Sequence, residues 1–295
     1  MLFNFGSINI DHVYQVTNLP NPGETIAATR YSKFLGGKGI NQSIAAQSTG
    51  CETRHYGAVG PDGEWALRHI EQFGVSTKNI MQLEQPTGHA IIFVDENAEN
   101  QIVIEGGANQ RLSKSMISDA LDSGNPDIDW VLLQNETNLT EEIVELSKSK
   151  GFRVAYAAAP FIPEVAGSLA GKVDLFVVNE IEAGQLAAAL STGIANLPVN
   201  QLLMTKGSSG VEMISGGETI FQPAFPVAAI DTTGAGDTFL GSFLGSYAQY
   251  NDIKGALRYA AAASAIQVTR PGAATAIPSR NEVEAFLQSQ MVHDG

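Results

Sequence analysis

Apolar positions along the chain follow short strand-like runs and helix-spaced stripes, and the order in which these alternate predicts the architecture. Residues 2–10 form a short apolar run with Gly6 near its middle, which suits an opening strand. Asn21-Pro-Gly-Glu24 marks a turn. Glycines at 36, 37 and 39 open a segment over 40–47, where Ile40, Ile44 and the Ala45-Ala46 pair recur at helical spacing until Gly50 stops it. Residues 54–59 read as a strand and 61–73 as a helix ended by Gly74. Two apolar runs, 90–94 and 101–104, flank the polar turn 95–100 and predict a hairpin.

Beyond Leu112 the rhythm changes. A helix over 113–121, a strand over 130–133, a helix over 141–150 capped by Thr140 and a strand over 153–157 follow in turn. A strand over 173–178, a helix over 180–189 and a strand over 201–205 continue the alternation. Such alternation predicts βαβ units and an α/β domain with a mainly parallel sheet flanked by helices. Residues 211–226 predict a hairpin around Gly216-Gly217, and helices over 238–250 and 253–267 come after it. With no repeat, low-complexity tract or linker, the expectation is a single domain over 1–295, with the early hairpin segments forming a small sheet of their own.

Composition narrows the classes. Hydrophobic residues make up 44% of the chain and charged ones 16%, against roughly 25% charged in an average soluble domain, which speaks against disorder. The net charge of −14 disfavours nucleic acid and anionic membrane as partners. Cys51, the one cysteine, excludes an internal disulfide and a multi-cysteine zinc site. Neither a signal peptide nor a run of about 18 apolar residues stands in the sequence, so the expected location is cytoplasmic. His12, His55, His69, His89 and His293 show no metal-ligand spacing and read as structural.

The chemistry concentrates in two glycine-rich segments. Asp231-Thr-Thr-Gly-Ala-Gly-Asp237 leads from a run ending at Ile230 into a helix. Glycine turns and a helix N-terminus together point several N–H groups into one cavity, an anion hole suited to a transferring phosphoryl group. Asp237 at that helix mouth suits a base that takes a hydroxyl proton; a plain helix cap is the alternative. A dinucleotide fingerprint is disfavoured because Phe239 stands at its final glycine. Gly36-Gly-Lys-Gly-Ile-Asn41 is no Walker A loop, yet its glycines admit close backbone approach to a polar ligand, and Asn41 offers donor and acceptor together. Asp11, just after the first strand, can accept two hydroxyls.

In this order the two segments resemble the signatures of the ribokinase-like carbohydrate kinases, the phosphofructokinase-B family, and the landmarks run from Gly6 to about Pro278. The resemblance implies the ribokinase-like fold, with a small β-sheet lid from about 12–36 and 87–107 that also pairs two subunits into a homodimer. It is strongest toward the ribokinase branch and implies ATP-dependent phosphorylation of a primary hydroxyl, with ribose first among sugars. Fructose, a sugar acid, a nucleoside or a catalytically silent regulator are the alternatives. By the same resemblance Asn9, Asp11, Gly37, Lys38, Asn41 and Glu136 bind the sugar. Asp237 is the base, beside an anion hole of Gly234, Ala235 and Gly236. Asn179, Thr205, Lys206, Gly207, Gly210 and Gly236 contact ATP, and Glu182 organises Mg²⁺ indirectly. Asp231 and the main-chain carbonyls of Thr233, Gln267, Arg270 and Gly272 surround a monovalent cation, K⁺. Two departures stand out: Ala276 occupies the place of a serine ligand to that cation, with the Thr275 hydroxyl as the alternative, and Ala157-Ala-Ala-Pro160 replaces the usual Asn-Pro-Ala-Pro.

Overall fold

The computed structural model describes residues 1–97 and 99–293, with the side chains from 291 onward, His293 included, outside the described residues. Its main sheet has nine strands: β1 (Leu2–Phe5), β4 (Thr53–Val59), β5 (Ile80–Gln82), β8 (Trp130–Gln134), β9 (Arg153–Ala157), β10 (Leu175–Asn179), β11 (Gln201–Thr205), β12 (Gly210–Ser215) and β13 (Glu218–Pro223). They run in the order β13-β12-β11-β10-β9-β8-β1-β4-β5. The pairings from β5 to β11 are parallel, and the terminal β12–β13 hairpin is antiparallel to β11.

Strands covered on both faces need apolar residues at every position, which is why these segments read as continuous runs. On one face Val131, Leu133, Phe176 and Val178 pack with helices α3 (Lys114–Asp122), α4 (Thr140–Ser149), α5 (Pro163–Leu169) and α6 (Glu180–Ala189). On the other, Trp130, Leu132, Leu175 and Val177 meet α7 (Ala235–Tyr250) and α8 (Ile253–Gln267). Helix α1 (Lys38–Ser48) lies beside α7; α2 (Glu64–Gln72) and α9 (Arg280–His293) complete the set.

A second, four-stranded sheet has the order β3-β2-β6-β7, from β2 (Asn9–Gln15), β3 (Arg30–Gly36), β6 (Gly88–Val94) and β7 (Asn100–Glu105). The expected hairpin over 90–104 is β6–β7. The opening run does not form one strand: it ends at Phe5 and resumes at Asn9 in the other sheet. The break falls where α1 presses on the chain, for a Cβ on Gly39 would sit 2.3 Å from the Ser7 nitrogen and one on Gly6 2.6 Å from the Gly39 Cα. Thr140 is the first residue of α4 rather than its cap; Leu139 takes that place with φ of 64°. Helices α5 and α9 and strands β3 and β5 carry too weak a periodicity to be read from sequence. Among the described residues no helix is long and apolar enough to cross a membrane.

Helices α1 and α7 cross almost backbone to backbone. A Cβ on Gly241 would lie 2.3 Å from the Gln42 carbonyl oxygen, and one on Gly245 would lie 2.6 Å from the Thr49 hydroxyl. Gly241→Ala is therefore expected to destabilise the protein by about 1–3 kcal/mol. On the outer face of α6 an added Cβ at the exposed Gly184 meets nothing within 4 Å, so Gly184→Ala should stabilise by about 0.5–1 kcal/mol. Paired denaturant titrations check both signs.

Candidate active site

Helix α7 begins at Ala235, just after Gly234, whose φ of 72° is left-handed and whose missing side chain leaves room for Ala273 and Gln267 at 3.1 Å. This turn presents the first-turn N–H groups of Gly236 and Asp237, which have no intrahelical acceptor, together with the positive end of the helix dipole. Asp237 stands at the mouth. Its Oδ2 accepts from Asn41 Nδ2 at 3.2 Å and its Oδ1 from Gln42 Nε2 at 2.9 Å. Burial pushes the Asp237 carboxyl up; Lys38 and the two amide donors pull against this, and Glu136 adds to the rise.

Two cavities meet at this turn. A polar one of about 240 Å³ is lined by Lys38, Gln42, Asn179, Glu182, Gly234 and Asp237. A more apolar one of about 500 Å³ is lined by Gly207, Gly210, Phe225, Phe239, Ala261 and Ser264. Both include Thr205, Thr232, Ala235 and Gly236, so the glycine turn is their common wall. A carboxylate base and unpaired amides beside a long two-part cavity suit transfer between a large anionic donor and a small hydroxylic acceptor.

On the acceptor side, Asp11 fits only because position 36 is glycine, where a Cβ would lie 2.1 Å from Asp11 Oδ2. Burial first, and the charge of Glu136 second, raise the Asp11 carboxyl to about 6. Asn9 Oδ1 accepts from Asn109 Nδ2 at 2.8 Å, and Asn109 bonds both backbone groups of Ile8. Asn41 is buried, yet its Oδ1 has no partner, an acceptor open to a ligand hydroxyl. Glu136 Oε2 accepts from the Lys38 backbone N–H at 2.9 Å and from the Ser7 hydroxyl, so it also fixes the start of α1. Gly37, with φ of 100°, makes that turn.

On the donor side, Asn179 and Glu182 form a capping box at the start of α6. Asn179 Oδ1 accepts from the Glu182 N–H at 2.9 Å, and Glu182 Oε2 accepts from the Asn179 N–H at 2.8 Å. Thr205, Gly207 and Gly210 line the larger cavity, whereas Lys206 turns its ammonium to Glu212 at 2.6 Å. Asp231, Thr233, Gln267 and Gly272 gather behind Gly234. Burial raises the Asp231 carboxyl, but N–H donors from Gly272 and Thr233 outweigh it and leave it below the usual range. The Arg270 guanidinium pairs with Glu282 at 2.6 Å.

Behind Asp237 runs a buried polar chain that pattern reading misses. Gln42 Oε1 accepts from Gln134 Nε2 at 2.7 Å, and Gln134 also donates to Asn4 Oδ1 at 3.0 Å. Asn4 donates to Ser43, whose hydroxyl meets His55 Nδ1 at 2.9 Å. Burial lowers His55 to about 3, so it is neutral. A signal was present: Asn4 and Gln134 are polar residues inside apolar strands, and buried polar groups demand partners.

A family model described as pfkB family carbohydrate kinase matches residues 1–280. The chain belongs to the pfkB family of carbohydrate kinases. The kinase is 33% identical to a ribokinase of Haemophilus influenzae, over 96% of this chain and 97% of that protein. It is 31% identical to a deoxyribokinase of Salmonella typhi, with the same coverage. Among solved structures, an Arabidopsis thaliana ribokinase complexed with ribose and ATP aligns with a TM-score of 0.82 at 28% identity, covering 97% of this chain and 98% of that one.

In this kinase Glu136→Gln removes the charge facing Asp11 while keeping the side chain's size. The Asp11 carboxyl should then titrate below its value of about 6, as read by carboxyl-carbon NMR. Loss of the negative charge at the start of α1 should cost about 0.3–1 kcal/mol of stability.

Proposed function

We propose that this kinase transfers the γ-phosphoryl group of ATP to the primary hydroxyl of a pentose, with O5 of ribose as the preferred acceptor. The observation that carries the reading is Asp237, held by Asn41 and Gln42 beside the first-turn amides of α7, where a polar and an apolar cavity meet. Asp11, Asn9, Lys38 and the open Oδ1 of Asn41 bind and orient the sugar hydroxyls. Asp237 accepts the hydroxyl proton as the sugar oxygen bonds to the γ-phosphorus. The bond from that phosphorus to the β–γ bridging oxygen breaks, and ADP leaves. The unpaired first-turn N–H groups of Gly236 and Asp237 suit the transferring oxygens, whereas the Ala235 N–H donates to the Thr232 carbonyl at 3.2 Å and shapes the turn.

Glu182 Oε1 and the Asn179 amide nitrogen remain outside the capping box, in the wall of the polar cavity; the first, an acceptor, suits the waters of a hydrated magnesium ion, and the second, a donor, suits a phosphate oxygen. When bound, Mg²⁺ neutralises phosphate charge and orients the phosphates. Apolar and backbone groups around Phe225, Phe239 and Ser264 take the base, with Thr205, Gly207 and Gly210 beside the phosphates. Ala157 and Ala159 line the polar cavity with methyl groups, so this stretch adds shape rather than hydrogen bonds.

The second sheet serves as the lid over the sugar. By its register Asp11, Phe34, Ala90 and Ile104 share a face, and Ile102 follows two residues from Ile104. Phe34 is 43%, Ile102 52% and Ile104 61% exposed. A second copy of the chain covers this apolar rim, making a homodimer in the cytoplasm. Light scattering at micromolar concentration should return twice the chain mass; a monomeric mass removes the dimer.

The names of the relatives support a pentose, and the deoxyribokinase keeps 2-deoxyribose as the rival acceptor. ADP release with Mg-ATP should be greatest with ribose among ribose, deoxyribose, fructose, sugar acids and nucleosides. Turnover with another member overturns ribose but keeps the reaction, and silence across the panel favours a binding-only role. Asp237→Asn should lower kcat by about 10²–10⁴-fold and leave nucleotide affinity intact. Both carboxylates act deprotonated and both are raised, so activity is lost as pH falls. The KM for sugar should climb below about pH 6 as Asp11 protonates.

A further inference from the structure

The loop that forms the anion hole is tied to the segment after α8 by a side chain. Gln267 ends α8 and is fully buried, at 0% exposure. Its Nε2 donates to the Thr233 carbonyl at 2.9 Å and to the Ala273 carbonyl at 3.4 Å, while its Oε1 accepts from the Thr238 hydroxyl. All the hydrogen-bonding capacity that a buried carboxamide must satisfy is thereby engaged within this loop junction.

These residues are the ones at which the family resemblance puts a monovalent cation, and their donor set does not fit one. Such an ion needs several oxygens turned toward one empty point, and an N–H donor standing at that point takes the ion's place. Here both Asp231 oxygens accept from backbone N–H groups, Thr233 at 2.9 Å and Gly272 at 2.8 Å. The Thr233 carbonyl takes the Gln267 amide, and the Gln267 carbonyl takes the Arg270 N–H at 2.9 Å. Ala276 is buried and brings no side-chain oxygen.

We propose that the Gln267 carboxamide replaces the monovalent cation in this kinase, cross-linking Thr233 to Ala273 so that the Gly234 turn holds its shape without an ion. The amide lies directly behind that turn: a Cβ on Gly234 would meet Gln267 Nε2 and the Ala273 Cβ, each at 3.1 Å. Gln267 is thus a positioning residue for the anion hole, acting through Thr233. It brings in no net charge, so the identity of the salt cation has nothing to act on.

The inference rests on the kinase reading for its rate measurement but not for its binding measurement. At fixed ionic strength, in KCl or tetramethylammonium chloride, the wild-type protein should show the same kcat, the same Mg-ADP affinity by calorimetry and the same Tm, within about twofold for the first two. Gln267→Glu keeps the shape, removes the donor and leaves a carboxylate facing two carbonyls. This variant should gain at least a tenfold K⁺ dependence of Mg-ADP affinity and a K⁺-specific rise in Tm. A wild type whose ADP affinity or rate rises tenfold or more with K⁺ overturns the proposal, as does a Gln267→Glu protein no more K⁺-responsive than wild type. Absence of sugar turnover defeats the kinase reading alone, because calorimetry and Tm still decide the cation question.

Discussion

Gly241 and Gly245 let α7 lie almost on the backbone of α1, and the site depends on that contact. Asn41 and Gln42 can hold Asp237, 196 and 195 positions later in the chain, only because nothing larger than hydrogen separates the two helices. The other end of the problem is the placement of α1 itself. Its first turn is pinned by Glu136 through the Lys38 N–H and packed on the Gly6–Ser7 turn through Gly39. Helix α1 therefore acts as a ruler between Glu136 at its first turn and the Asp237 carboxylate. A side chain added at either glycine contact would displace donors from Asp237 before touching any ligand.

A half-enclosed carboxylate is costly unless donors and a helix terminus compensate it. Here the compensation is mostly neutral. Gln42, Gln134, Asn4, Ser43 and uncharged His55 form one hydrogen-bonded chain, and among the described residues Lys38 adds the formal positive charge that acts on Asp237. Such a chain stiffens the site without supplying a competing charge, because each amide can donate in only a few directions. Among the described residues, the unpartnered buried atoms Asn41 Oδ1, Gln134 Oε1 and His55 Nε2 differ in their setting. Asn41 adjoins Asp237, so its open acceptor suits a ligand. The other two lie along the buried chain behind it.

The parallel sheet was legible because strands buried on both faces must be apolar throughout, and β9, α6, β11 and α8 have the boundaries their patterns predict. The turn at Gly234 and the start of α7 were legible because glycine and a following helical pattern leave few physical alternatives. What escaped reading depends on groups remote in sequence. The strand break after Phe5 is imposed by Gly39, and the capping of α4 by Leu139 needs a left-handed residue no propensity favours. Lys206 stands beside Gly207 and Gly210, which line the larger cavity, but its ammonium belongs to Glu212 on the neighbouring strand. Gln267 was read for its carbonyl, whereas its side chain does the linking, a distinction visible only once Thr233 and Ala273 are brought together.

The net charge of −14 and the affinity for a polyphosphate proposed here are reconciled by distance. At physiological salt the screening length is about 8 Å, so exposed carboxylates on the far helices contribute little at the glycine turn. What a phosphate meets locally is Lys38, the unpaired amides of α7 and that helix's dipole. A neutral cross-link behind Gly234 fits the same logic. With Gln267 rather than an ion holding the loop, no extra positive charge lies behind the turn. The anion hole then owes its strength to the orientation of amides that α1, through its contact with α7, keeps fixed.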